Sequence, residues 1–183
     1  MSRAISNQRL RQISDITYNM VLSSLPISRK VNVENIAKLN GVQVQPTDLG
    51  EDVSGILVVQ EDNAVIAYNP SQLSQRTRFT IAHELGHYIL HLDNSKDTVF
   101  IDKDFIVKYR SNKVYSEVEL RQEQEANAFA ASLLMPKEFI FEELDQLNAE
   151  NLTETQLIER LAEAFDVSIP AMTFRLTNLN ILY

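Results

Sequence analysis

Apolar residues recur at helical spacing over several long stretches of this chain and alternate at strand spacing in one block between them. From about Asn7 to Leu25 they fall at Leu10, Ile13, Ile16, Tyr18, Met20 and Val21, which predicts a helix ending before Pro26. A short helix follows from Val33 to Asn40, with Asn32 as its cap and Gly41 closing it. The period then changes. Val42-Gln43-Val44 alternates, while Gly55 to Gln60 and Ala64 to Tyr68 are β-branched and apolar. With Glu61-Asp62-Asn63 as a turn, the last two runs predict a hairpin within a small sheet.

A long helix is expected from Ser71 to about Leu92, with Ile81, Leu85, Tyr88, Ile89 and Leu92 as one apolar stripe. Gly86 interrupts it at a cost of about 1 kcal/mol relative to Ala, which a close backbone approach would explain. Asp93 to Tyr115 has no clean period; a lid, a binding segment or a disordered stretch fits it, as do short strands at Val99 to Ile101 and Phe105 to Val107. Helical spacing returns at Ser116, whose pairing with Glu119 fits a capping box, and the stripe Ala126, Phe129, Ala130, Leu133, Leu134 runs up to Pro136. Pro136 opens a further helix to about Leu147. Thr153 with Gln156 starts another, reaching Phe165, and Ser168 caps a last one to about Leu179. The expected fold class is α+β and mainly helical, a single compact unit with residues 1–150 as its main domain and 151–183 as a helical appendage packed on it.

Composition narrows the chemistry. The chain has 183 residues and is 44 % hydrophobic, which is ample for one core. Its net charge of −8 disfavours nucleic acid as a partner. There are no cysteines, so thiolate metal sites and cysteine nucleophiles are excluded, and a metal would be held by His, Asp and Glu. No secretory signal is visible at the N-terminus, and no apolar run approaches the length of a membrane span. The expectation is a soluble, cytoplasmic protein.

All 3 histidines lie in His83-Glu84-Leu85-Gly86-His87-Tyr88-Ile89-Leu90-His91. On a helix, residues four apart are about 400° apart in rotation and roughly 6 Å apart in rise, so His83 and His87 share a face and can ligate one metal ion. Glu84 lies about 100° round, where its carboxylate can reach a water rather than the metal. His83 and His87 stand across the helix from Leu85, so one face can pack into a core while the other is left for chemistry. His91 lies about 12 Å along the axis from His83, too far to share a metal with it. It is expected to support the ligands, line the substrate site or lie on the surface.

A catalytic zinc site normally has three protein ligands. Glu123 lies within about 60° of the apolar stripe of its helix and should point inward, either in a salt bridge or as the third ligand; the upstream motif favours the ligand. Glu119 is accounted for by the capping box, and Glu125, about 100° off the stripe, is expected to be solvated. Asn127 could accept a hydrogen bond from the second ring nitrogen of His83 or His87, or face water as a plain helix amide.

Arg78-Phe79-Thr80-Ile81-Ala82-His83-Glu84-Leu85-Gly86-His87-Tyr88-Ile89-Leu90-His91, followed by Glu123-Gln124-Glu125-Ala126-Asn127-Ala128-Phe129-Ala130-Ala131-Ser132-Leu133-Leu134-Met135-Pro136, resembles the ImmA/IrrE family of bacterial and phage-associated metallopeptidases. The resemblance is close from the motif helix to Pro136, about a third of the chain. It implies a zincin-like fold with Zn2+ held by His83, His87 and Glu123, and Glu84 as general base. It also implies a protein substrate, a helix-turn-helix repressor of a mobile element or stress response. It assigns no oxyanion-stabilising residue; Tyr88, Tyr109, Tyr115 and His91 are all candidates.

Leu161 to Leu176 is similar to the family's C-terminal helical part and has the spacing of a helix-turn-helix. Thr153 to Tyr183 carries two arginines against four acids, which suits packing or protein docking better than DNA. The expected activity is site-specific zinc endopeptidase. The alternatives are a non-proteolytic regulator, binding repressor or DNA around a structural zinc, and one half of a toxin–antitoxin pair. Oligomeric state is left open by the sequence.

Overall fold

The computed structural model describes residues 5–60, 63–92, 98–103, 116–147 and 152–182, the stretch 98–103 by its backbone. Helix α1 (Asn7–Ser23) and the short α2 (Val33–Leu39) lead into strands β1 (Val42–Pro46), β2 (Val53–Gln60) and β3 (Asn63–Tyr68). The motif helix α3 (Ser74–His91) and strand β4 (Thr98–Lys103) follow. Helices α4 (Glu117–Leu134), α5 (Lys137–Gln146), α6 (Glu154–Phe165) and α7 (Ile169–Asn178) complete the chain.

The polar punctuation read from the sequence sets the helix starts. Asn32 accepts from the Asn35 N–H at 2.9 Å. Ser116 with Glu119 and Thr153 with Gln156 form reciprocal capping boxes, and Ser168 accepts from the Ala171 N–H. Each box satisfies backbone N–H groups that a helix start leaves without internal partners. Pro136, which has no N–H to lose, stands at the N-cap of α5.

The sheet has the order β1-β3-β2-β4. β1 runs parallel to β3, and β2 is antiparallel to both neighbours. The expected hairpin is present, with Gln60 opposite Asn63. The first predicted strand of the Asp93–Tyr115 stretch is realised within β4. The second, at Phe105 to Val107, lies outside the described residues, as does most of that stretch. Register places Val42, Val44, Leu57, Val59, Ala64 and Ile66 on one face, and all six belong to the hydrophobic core or pack against it. That core also takes in Ile13 and Val21 of α1, Leu85 of α3, Phe129 and Leu133 of α4, Phe165 of α6 and Met172 and Leu176 of α7.

Helix α3 lies between the sheet and α4 and is buried on every side from Thr80 to His87. The face opposite Leu85, the one left for chemistry, is thus buried as well. A helix with a sheet on one side and a helix on the other has no solvent face left over its central turns. Arg78, one turn before the motif, ties α3 to the tail: its guanidinium donates to the Val31 carbonyl at 2.8 Å and lies 3.6 Å from the Asp166 carboxylate beyond α6. At the far end of the tail, the buried Arg175 donates to the Met135 carbonyl at 3.0 Å. Burial pushes that guanidinium down to about 10, against the opposing pull of Glu138, so it stays charged at neutral pH. No helix among the described residues is long and apolar enough to cross a membrane.

Strand β2 comes up against α3 at Gly55, beside a register irregularity between Val53 and Gly55. A Cβ there would overlap Thr80 Cγ2 and touch Glu84 Cγ at 3.5 Å. Thr80 is fully buried and, being β-branched in a helix, has little rotamer freedom with which to yield. Gly55→Ala is therefore expected to destabilise the fold by about 1–3 kcal/mol. Thr80→Ser removes the clashing methyl and keeps the hydroxyl, so the double substitution should recover most of the loss. Chemical denaturation of the three variants checks this, and additive losses in the double variant would refute the contact.

Candidate metal centre

Helix α3 presents His83 and His87 one turn apart, with their Nε2 atoms 3.1 Å from each other. Helix α4 brings Glu123 opposite them. Its Oε2 is 3.6 Å from His83 Nε2 and its Oε1 is 3.4 Å from His87 Nε2. The two histidines are 3 % and 2 % exposed, respectively. One ligand atom from each of the three residues falls within 4.8 Å of the others, so the group could hold a metal ion. Tetrahedral zinc with bonds of about 2.0–2.1 Å separates its ligand atoms by about 3.3 Å, close to the spacing found here.

The distance between the two helices is set by Gly86. A Cβ at that position would lie 3.1 Å from Phe129 Cβ, 3.1 Å from Phe129 Cδ1 and 3.2 Å from Ala126 Cα, so the helices meet almost backbone to side-chain root. The close approach expected at this glycine is present. It lies between the two histidines in sequence and directly against the helix that carries Glu123.

Hydrogen bonds on the far side of each imidazole determine which nitrogen faces inward. His83 Nδ1 lies 3.1 Å from Asn127 Oδ1, so Asn127 meets His83, one of the two expected possibilities. His87 Nδ1 lies 3.2 Å from Nδ1 of His91. With Nδ1–H donating outward in both rings, both Nε2 lone pairs point at the space that the Glu123 carboxylate also faces. Three electron-rich groups converging in this way are well matched to a cation.

His91 supports His87, and its other nitrogen, Nε2, lies 3.4 Å from Glu125 Oε2. Both ring nitrogens are thus engaged inside the protein. Burial pushes the His91 imidazole down to about 4, and the adjacent His87 adds to that shift, so the ring is neutral at pH 7. Glu125 departs from expectation: it is not solvated but only 4 % exposed. It accepts from Arg9 of α1 at 2.6 and 2.9 Å and from Arg121 at 3.0 Å. Burial alone would raise its carboxyl, but these hydrogen bonds outweigh that and hold it below the ordinary carboxylate range. The wheel of α4 treats the helix in isolation, whereas α1 covers the side on which Glu125 stands. Arg9 itself carries no local signal, since its role arises from docking across more than a hundred residues of chain.

Glu84 is fully buried where α3 meets Gly55 of β2. Glu119 completes the capping box through its side chain. Tyr88 is half-buried against the core, and Tyr109 and Tyr115 lie outside the described residues.

A helix-borne H-E-x-x-H pair facing a carboxylate from a second helix defines a class of mixed α+β domains with a site that could hold a metal ion. A family model described as the IrrE N-terminal-like domain matches residues 37–177, and the chain belongs to that family of metallopeptidases, peptidase family M78. Among curated proteins none matches. A solved Mycobacterium tuberculosis transcriptional regulator is similar in fold, with a TM-score of 0.60 at 18 % identity. The alignment covers 91 % of this chain and 46 % of the regulator, so this chain spans about half of that protein's length.

Gly86→Ala gains helix propensity of about 1 kcal/mol but must push α4 away through a main-chain contact. Net destabilisation of about 1–2 kcal/mol is expected, read as a lowered midpoint in denaturant. A variant as stable as the parent would show that the two helices can separate freely.

Proposed function

We propose that this chain is a zinc-dependent endopeptidase in which His83, His87 and Glu123 hold the metal and Glu84 is the general base. The observation that carries this reading is the convergence of the two Nε2 atoms and the Glu123 carboxylate at near-tetrahedral spacing. Zinc held there would supply the Lewis acidity that makes water a nucleophile near neutral pH and polarises the scissile carbonyl. As general base, Glu84 would accept a proton from the attacking water and return it to the leaving amine. Asn127 and His91 keep the two imidazoles in the tautomer that leaves Nε2 as an acceptor. Enclosure of the motif helix limits bulk water around these groups, which strengthens their interactions.

The substrate class we propose is a small helix-turn-helix repressor, on the strength of the family resemblance. A protein rather than a nucleic acid is supported by the tail: Ile169 and Phe174 of α7 are exposed, while the arginine of that helix is turned inward onto Met135.

Elemental analysis should find one zinc per chain in the parent and in Glu119→Ala, and loss of zinc in Glu123→Ala. Glu84→Gln should keep its zinc and its fold while cleavage falls by about 100- to 10,000-fold. Undiminished cleavage by a zinc-loaded Glu84→Gln protein would overturn the mechanism, and retention of zinc by Glu123→Ala would overturn the ligand set.

Specificity is expected to be narrow, with little turnover of casein and selective cutting of a cognate repressor. Duplex DNA binding that weakens steeply between low and moderate salt would instead favour a regulator, because that slope counts phosphate contacts.

A further inference from the structure

The hydrogen bonds behind His87 continue past His91 to the first helix of the chain. Glu125 Oε2 accepts from Arg9 Nη2 at 2.6 Å and from Arg9 Nε at 2.9 Å, and the same oxygen lies 3.4 Å from His91 Nε2. His91 Nδ1 meets His87 Nδ1 at 3.2 Å. Arg9 belongs to α1, which precedes the span 37–177 matched by the family model. An element outside that span therefore reaches the metal pocket through three intervening side chains.

The direction of each bond follows from the one before it. An ionised carboxylate only accepts, so His91 Nε2 carries a proton and donates to Glu125. In a neutral imidazole the other nitrogen is then an acceptor, so His91 Nδ1 receives the Nδ1–H of His87. That leaves His87 Nε2 as a lone pair aimed at the space shared with His83 and Glu123. The opposite tautomer of His87 would put a hydrogen where a metal must sit. Two arginines hold Glu125, but unequally. Arg121 is 65 % exposed and makes one bond, to Oε1, in a setting where water competes. Arg9 is 27 % exposed and places both nitrogens of one guanidinium edge on Oε2, the oxygen that serves His91.

We propose that docking of α1 controls the metal affinity of the pocket, with Arg9, Glu125 and His91 acting as positioning residues that fix the tautomer and orientation of His87. The proposal rests on the reading of His87 as a metal ligand. Its physical content is a coupling between two sites, and coupling is reciprocal: if docked α1 tightens metal binding, bound metal tightens the docking of α1 to the same degree. Displacement of α1 by any partner would loosen the metal without touching the ligands.

The test measures zinc affinity of the full chain at pH 7 by competition with a chromophoric chelator. Arg9→Gln and His91→Phe are each expected to weaken zinc binding about 10- to 100-fold, the usual cost of removing a group that orients a ligand. Arg11→Gln removes an exposed arginine from the same helix and should leave the affinity within about twofold. The double variant Arg9→Gln/His91→Phe should bind no more weakly than His91→Phe alone, because Arg9 acts through His91. A merely structural role for Arg9 predicts instead that the losses multiply, or that melting drops while zinc affinity stays. Hydrogen exchange needs no Arg9 variant: zinc should slow exchange of the α1 amides in the parent and not in His91→Phe. Equal zinc affinity in Arg9→Gln and parent, multiplying losses, or α1 exchange indifferent to zinc would each overturn the coupling. A parent that takes up no zinc would overturn the assignment of the site itself, and the coupling with it.

Discussion

The contact between α3 and α4 at Gly86 is the constraint on which the site depends. The two histidines sit on one helix and Glu123 on the other, so the distance between helices becomes the distance between the candidate ligand atoms. Gly86 lets α4 approach until Phe129 and Ala126 stand within 3.2 Å of where a side chain would begin. A metal tolerates ligand displacements of only a few tenths of an ångström, and close-packed interiors hold distances to that tolerance better than surface loops do. Leu85 and Ile81, at 0 % and 1 % exposure, complete the packing that keeps α3 in place. The residues that build the core and those that aim the imidazoles are therefore neighbours on the same two turns.

That economy carries a cost. His83, His87 and Glu125 are all buried, and polar groups removed from water must find partners inside. The site meets the requirement by chaining the groups together. Asn127 takes up one imidazole, His91 the other, and Glu125 gathers His91 with two guanidinium groups. Removing one member of such a chain leaves the others desolvated and unpaired, which is more damaging than loss of a single surface contact.

The sequence is most legible where short-range patterns decide the outcome. Both capping boxes, the Asn32 cap, the hairpin and the helix break at Pro136 depend on residues within four positions of each other, and the wheel of α4 turned Glu123 inward. It failed for Glu125, two residues on, because a wheel shows where a side chain points and not what lies there. Glu125 sits about 100° from the apolar stripe, and α1 covers that flank. The enclosure of α3 on all sides has a related origin. Spacing along the chain shows which face of the helix is polar and not what packs against it, and the sheet at Gly55 and α4 at Gly86 both do.

The two imidazoles are supported in different ways, and the difference follows from the topology. Asn127 stands one helical turn beyond Glu123 on α4, so the orientation of His83 is built into the same helix pair that brings the third candidate ligand. The outward nitrogen of His87 faces along α3 toward His91 rather than across to the neighbouring helix. His91 then needs an acceptor of its own. The nearest is Glu125, a buried carboxylate that would be costly without cations, and Arg121 on the same helix is too exposed to supply all of that charge. The missing share comes from Arg9 on α1. A site whose candidate ligands all lie on two adjacent helices is thus tied at one end to a third, and the strength of that tie depends on how firmly α1 rests on α4.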